Sequence, residues 1–206
     1  MYNSGFKESI LDGTEQDYIP VKNVGLLKEY SYQKYLPDVL NQGSDPICVP
    51  CSISCILNWR LNIIEGVKDD NGICVYDIFN KREGNDAGMT FKDAFSILMR
   101  DGVDSNKGVV KINGYAKVPS SLALKFALFA NGPCVGVLPV YNSDSADEFW
   151  NKKFGRLEGY HAVAIVGYCK EGFIIRNSWG ERYGENGYSL LLEKDFNLFR
   201  ELWTIL

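Results

Sequence analysis

Apolar positions along this chain follow two periodicities, and the switch between them divides the sequence. From Cys48 to about Ile63 they recur every three or four residues, at Cys48, Cys51, Cys55, Ile56, Trp59 and Ile63, the spacing of one helical face. Pro50 is compatible with the first turn of that helix, where the N–H groups have no intrahelical partner. Thr90 to Arg100 repeats the pattern through Phe91, Ala94, Phe95, Leu98 and Met99 and stops at Asp101-Gly102. A third helix is predicted over Leu122 to Ala130, opened by Ser120-Ser121 and closed by Asn131-Gly132-Pro133. Beyond Pro133 the pattern turns to runs of strand character: Cys134 to Val140, the run that starts at His161, the run through Phe173, Tyr188 to Leu192, and Leu202 to Leu206. Asp69-Asp70-Asn71-Gly72 predicts a turn, Lys81 to Gly88 a polar connection, and Tyr141 to Gly159 a long polar excursion.

Helices first and strands afterwards predict an α+β fold of two lobes meeting at a cleft. The boundaries fall at a helical lobe of residues 45–108 and a β-rich lobe of residues 109–206, within one domain of residues 25–206. Residues 1–24 form a polar arm whose periodicity is broken by Gly5, Gly13 and Pro20. With 206 residues, 46% of them hydrophobic, the chain can bury a sizeable core. A net charge of −4 and the lack of a basic stripe argue against a nucleic-acid or anionic-membrane partner. No apolar run reaches the length of a membrane span, and Met1 to Pro20 has no apolar core of a secretory signal, so an intracellular, cytoplasmic protein is expected. The six cysteines could pair in fifteen ways, but Cys55, Cys74, Cys134 and Cys169 are expected to be buried and reduced.

The candidate chemistry starts from the single histidine of the chain, His161, at the mouth of a β-branched run. Asn177 lies sixteen positions on, after a second strand pattern and the short polar turn Cys169-Lys170-Glu171-Gly172. Two antiparallel strands would set both side chains at one end of a sheet. An imidazole oriented by a side-chain amide needs only a nucleophile. Cys48 opens the first predicted helix, where unpaired N–H groups and the helix dipole favour thiolate.

These residues sit in quotable motifs. Gln42 lies in Asn41-Gln42-Gly43-Ser44, six positions before Cys48; the histidine stands in His161-Ala162-Val163-Ala164; and Asn177-Ser178-Trp179-Gly180 is closed by Gly184-Glu185-Asn186-Gly187-Tyr188. In this order they resemble the papain-like cysteine peptidase family, in a compact form without the long pro-segment. The resemblance implies a helical lobe and a β-barrel-like lobe flanking the active-site cleft. It also implies peptide-bond hydrolysis through an acyl-enzyme thioester, with a polypeptide substrate and no metal or organic cofactor. Cys48 would be the nucleophile, His161 the general base and then acid, Asn177 the group that fixes the imidazole, and Gln42 an oxyanion donor beside the Cys48 N–H. Gly88 and Met89 would line the strip where substrate backbone pairs, Val137 and Tyr160 would complete an apolar subsite, and Trp179 would cover the histidine–asparagine bond from water. The arm is expected to be a packing strap rather than a lid.

The sequence also departs from the family's pattern. Val49 replaces the usual tryptophan, Pro46-Ile47 replaces small residues, and the 113-residue interval from Cys48 to His161 is short against about 130 to 150 in the family. Other readings remain open. Cys48-Val49-Pro50-Cys51 by itself spells a thiol–disulfide oxidoreductase motif, and a relative that kept the fold without the activity would share most of these residues. A zinc site built from Cys48, Cys51, Cys55 and His161 would need a helix to wrap around the metal.

Overall fold

The computed structural model describes residues 5–20, 25–65, 72–84, 87–141, 150 and 155–206. Among these the helices are α1 (Cys48–Glu65), α2 (Val75–Asn80), α3 (Phe91–Arg100) and α4 (Ser121–Asn131). The strands are β1 (Tyr30–Ser31), β2 (Val103–Ser105), β3 (Gly108–Val110), β4 (Tyr115–Lys117), β5 (Cys134–Tyr141), β6 (Leu157–Tyr168), β7 (Gly172–Arg176), β8 (Tyr188–Leu192) and β9 (Glu201–Ile205). Residues 69–71 of the turn expected at 69–72 and most of the excursion expected at 141–159 lie outside the described residues.

The three expected helices form where the apolar spacing places them. Thr90 caps α3 by accepting from the Asp93 N–H at 2.9 Å, and Ser120 caps α4 by accepting from the Ala123 N–H at 3.1 Å. On α3 the buried face holds Phe91, Ala94, Phe95 and Leu98 as expected, but Ile97 rather than Met99 completes it and Met99 is exposed. The first half of α1 is buried on every side, including Val49, Ile53 and Leu57 away from the expected stripe. A helix apolar all round is a core helix, and α1 lies against β6 at the junction of the lobes. Cys74 and Cys169, expected to be buried, are exposed and half-buried respectively; Cys74 stands at the N-cap of the short α2.

The large sheet is antiparallel, in the order β4-β9-β5-β6-β7-β8, with β1 on the free flank of β6. It is open, not the barrel expected from the sequence. Its outer strands do not meet, because other chain covers them. Gln16 and Tyr18 of the arm bond to Lys117 on β4, and the Trp150 N–H donates to the Leu190 carbonyl on β8 at 3.1 Å. Covering an edge in this way removes the unpaired groups that closure would otherwise satisfy.

One buried cation joins this sheet to the segment leading into α1. Arg176, at the end of β7, donates to the carbonyls of Pro37 at 2.7 Å and Asp38 at 2.6 Å and to the Tyr188 hydroxyl at 3.0 Å. Asn177 follows Arg176 directly, and Gln42 follows the 37–38 segment, so the clamp sets both. Replacing Arg176 with Met removes the donor from the buried Pro37 carbonyl and the partly buried Asp38 carbonyl. The expected loss is roughly 3 kcal/mol, read as a fall in Tm of about 6–12 °C by calorimetry.

Candidate active site

The end of α1 meets β6 at Cys48. Cys48 is the first residue of the helix and is fully buried. Its thiol accepts from the backbone N–H of Ala162, the residue after His161. This contact brings two stretches separated by more than half the chain to one point.

His161 lies in the middle of β6, paired with Leu138 on β5. Its Nε2 is 2.8 Å from the Asn177 side-chain oxygen, which also accepts from the Ser178 N–H at 2.7 Å. An amide oxygen can only accept, so the imidazole proton sits on Nε2 and Nδ1 carries the lone pair. Nδ1 is buried and, among the described residues, has no hydrogen-bond partner. The ring is held on its face by Trp179, 4.4 Å between centroids, and Trp150 stacks in turn on Trp179 at 5.7 Å. Trp179 therefore packs on the imidazole that it is expected to cover. Trp150 was not identified from the sequence, because it lies in the polar excursion with no periodic partner.

Gln42 reaches this site through a short pairing of its loop with the residues after Asn177. The Gln42 N–H donates to the Ser178 carbonyl at 2.8 Å, and the Ser178 hydroxyl donates to the Gln42 side-chain oxygen at 2.6 Å. The amide nitrogen of Gln42 commits one of its two donors to the Asp45 carbonyl, at 2.8 Å.

Burial sets the protonation of the pair. It pushes the Cys48 thiol up to about 12, against smaller opposing effects of the N–H groups of Ala162, Val49 and Cys48 itself. It holds the His161 imidazole down at about 4, with the Asn177 bond pulling the other way. Desolvation thus opposes the N–H donors at the Cys48 thiol and favours the neutral form of His161, so burial works against the thiolate expected from the sequence. Cys51 is also buried and pushed up to about 12. Two protonated, enclosed thiols are the opposite of what a rapidly exchanging redox pair needs.

The expected subsite residues gather around the same point. Cys48, Met89, Val137 and Ala162 share one apolar cluster, and Tyr160 packs on it from the side. Packed there too is Phe6 of the arm. The Met89 N–H donates to the Gly5 carbonyl at 2.9 Å and the Met89 carbonyl accepts from the Lys7 N–H at 3.1 Å, so residues 5–7 run as a parallel strand along Met89. The approach needs glycine at two places. Gly5 has φ +55°, and a Cβ on it would come within 2.2 Å of the Pro46 backbone; a Cβ on Gly88 would come within 2.1 Å of the Gly5 carbonyl oxygen. A separate cavity of about 180 Å³ follows the α1 face carrying Cys51, Cys55 and Asn58, and Cys48 does not line it.

Comparison with known proteins matches these features. A model of the papain family cysteine proteases matches residues 52–199, starting just after Cys48. Cathepsin K of Mus musculus is 27% identical over 198 residues, which cover 82% of this chain and 60% of that protein. Cathepsin B-like CP1 of Giardia intestinalis is 39% identical over 87 residues, 38% of this chain and 29% of that protein. The chain therefore spans less than two thirds of the length of these relatives. Among solved structures, xylellain, a cysteine protease from Xylella fastidiosa, superposes with a TM-score of 0.81 at 23% identity, over 99% of this chain and 96% of that one. Procathepsin B S9 from Trypanosoma congolense superposes with a TM-score of 0.80 at 16% identity, over 99% and 86%. Since the family model covers well over half of the sequence, the chain belongs to the papain family of cysteine proteases.

Proposed function

We propose that this chain is a cysteine peptidase in which Cys48 attacks a peptide carbonyl and His161 manages the proton. The observation that carries this reading is the meeting of the Cys48 thiol with the Ala162 N–H, beside an imidazole whose Nδ1 lone pair is unoccupied while Asn177 holds Nε2. In the first half-reaction the thiol proton passes to Nδ1, sulfur bonds to the carbonyl carbon, and the imidazolium returns the proton to the leaving amine. In the second, water attacks the thioester, gives a proton to His161, and releases the acid and the thiol. The Cys48 N–H and the Gln42 side-chain amide are the groups assigned to the oxyanion. A silent relative would have no physical need for a histidine held by asparagine and roofed by two tryptophans at a cysteine.

The seated arm is proposed as a resting state. Phe6 fills the apolar subsite and the Met89 backbone is already paired, so a substrate must displace residues 5–7. That the arm touches this strip favours a lid over the packing strap expected from its composition.

A thiol-directed epoxide of the papain-inhibitor type is expected to label Cys48, as read by peptide mass mapping, and labelling is lost in His161→Ala. Labelling at Cys51 instead, or undiminished labelling without His161, would sink the proposed site. Gly5→Ala adds a Cβ that the seated arm cannot hold. Because apparent affinity scales with the open fraction, it is expected to raise kcat/KM on a small peptide by about tenfold with the melting temperature nearly unchanged. Lower activity than wild type would exclude the lid. The pH dependence has a definite sign. The unfolded chain binds the His161 proton near 6.5 and the folded chain only near about 4, so stability falls as pH drops through that window and is unaffected by this group above it. Chemical denaturation at pH 7 and pH 4.5 is expected to show a loss smaller by about 2 kcal/mol in His161→Gln than in wild type.

A further inference from the structure

Asp45 and Tyr76 take no part in the proposed mechanism, yet they meet at the loop that carries one of its groups. The loop from Gln42 to Ile47 is closed on itself through Asp45. The Asp45 N–H donates to the Gln42 carbonyl at 3.0 Å, and the Asp45 carbonyl accepts from the Gln42 side-chain nitrogen at 2.8 Å and from the Ile47 N–H at 2.9 Å. Asp45 therefore aims the Gln42 amide from its nitrogen end, as the Ser178 hydroxyl does from its oxygen end. A shift of Asp45 moves that amide relative to Cys48, three positions on.

The Asp45 carboxylate makes a contact of another kind. The Tyr76 hydroxyl donates to its Oδ2 across 31 positions of sequence. This bond holds the Tyr76 phenol above its ordinary 10, so the hydroxyl stays a donor at neutral pH. Tyr76 stands in the first turn of α2, and α2 is itself fixed from two sides. The Ile73 N–H, just ahead of the helix, donates to the Asn58 side-chain oxygen on α1 at 2.8 Å, and the fully buried Ile78 belongs to the cluster that holds Cys48. The loop is thus attached to α1 twice, directly where Ile47 runs into Cys48 and again through Asp45, Tyr76 and α2.

Magnitudes decide what the second attachment is for. Tyr76 is 44% exposed, and a bond that water can reach contributes little to the stability of a fold. Positioning is more demanding, because a misplacement of about 1 Å can cost about a hundredfold in rate. The carbonyl oxygen moves as its carbon becomes tetrahedral, and only donors aimed at that later position favour the transition state over the bound substrate. A loop attached at one end can swing about it; a second attachment stops the swing. The geometry points to Tyr76 as a positioning residue, which through the Asp45 carboxylate holds the Gln42 amide where the oxyanion forms. The inference rests on the peptidase reading above.

The test removes only the phenol oxygen, in the full-length protein. Tyr76→Phe is expected to lower kcat on a fluorogenic peptide by about tenfold, with KM within about twofold and the melting temperature nearly unchanged. A peptide aldehyde, whose adduct with Cys48 places an oxygen where the oxyanion sits, is expected to bind about tenfold more weakly. A dipyridyl disulfide, which reacts with the thiol and has no carbonyl, is expected to label Cys48 at the wild-type rate. Unchanged kcat and aldehyde affinity overturn the assignment. So does an equal fall in aldehyde affinity and in disulfide labelling, which marks a general loosening of the site. Asp45→Ala and the double variant complete a cycle: the double variant is expected to be no slower than Asp45→Ala alone, because Tyr76 acts only through that carboxylate. Losses that multiply overturn the assignment. A wild-type protein that cuts the peptide but is indifferent to Tyr76→Phe removes this inference alone, whereas one that neither cuts the peptide nor is labelled at Cys48 removes the peptidase reading and this one with it.

Discussion

The contact on which this molecule depends is the end-on meeting of α1 with β6, where the Ala162 N–H faces the Cys48 thiol. A helix N-terminus carries unpaired donors and a positive field, and β6 adds the Ala162 N–H at a point where β7 has not yet paired with it. Packing one against the other encloses the sulfur, and enclosure removes the water that would stabilise its charge. N–H donors pull the thiol toward ionisation, desolvation pushes it away, and desolvation is the larger effect, leaving the thiol at about 12.

Supporting the contact takes fewer specific interactions than the size of the core suggests. Arg176 ties β7 to the 37–38 segment, the Gln42 and Ser178 backbones pair, and Trp179 fixes the imidazole from its face. Each acts within a few residues of Asn177. Twist and stacking bring His161 and Asn177 together, but these short links determine that Gln42 and Cys48 arrive at the same place.

Much of this was legible from the sequence because it is carried by periodicity and by side chains with few roles. The stripe from Cys48 to Ile63, the Ser120-Ser121 start of the third helix and the β-branched run after His161 each specify an element locally. Quoted motifs then placed Gln42, Cys48, His161 and Asn177 in one site. What escaped was non-local. Trp150 reaches the imidazole stack from a polar stretch. The open sheet follows from arm residues covering β4, an event that no pattern within β4 could show. Gly5 and Lys7 bond to Met89 through backbone groups, which every residue has, so composition made the arm look like inert packing. Glu201 stood just outside the predicted strand that begins at Leu202, where a charged residue reads as a boundary and not as a buried group.

The arm also explains why the resting state can be occupied without being locked. Its holding interactions include two backbone bonds to Met89, two bonds from Ser9 to Glu201, a pair of backbone bonds to Lys117 and the bonds of Lys92 to Ile10, Asp12 and Glu15, each neutral bond contributing on the order of 1 kcal/mol net. Ordering the same residues costs a comparable amount each, so the balance is small. Tethering nevertheless keeps the segment at a high local concentration, and a peptide must compete with it at every encounter.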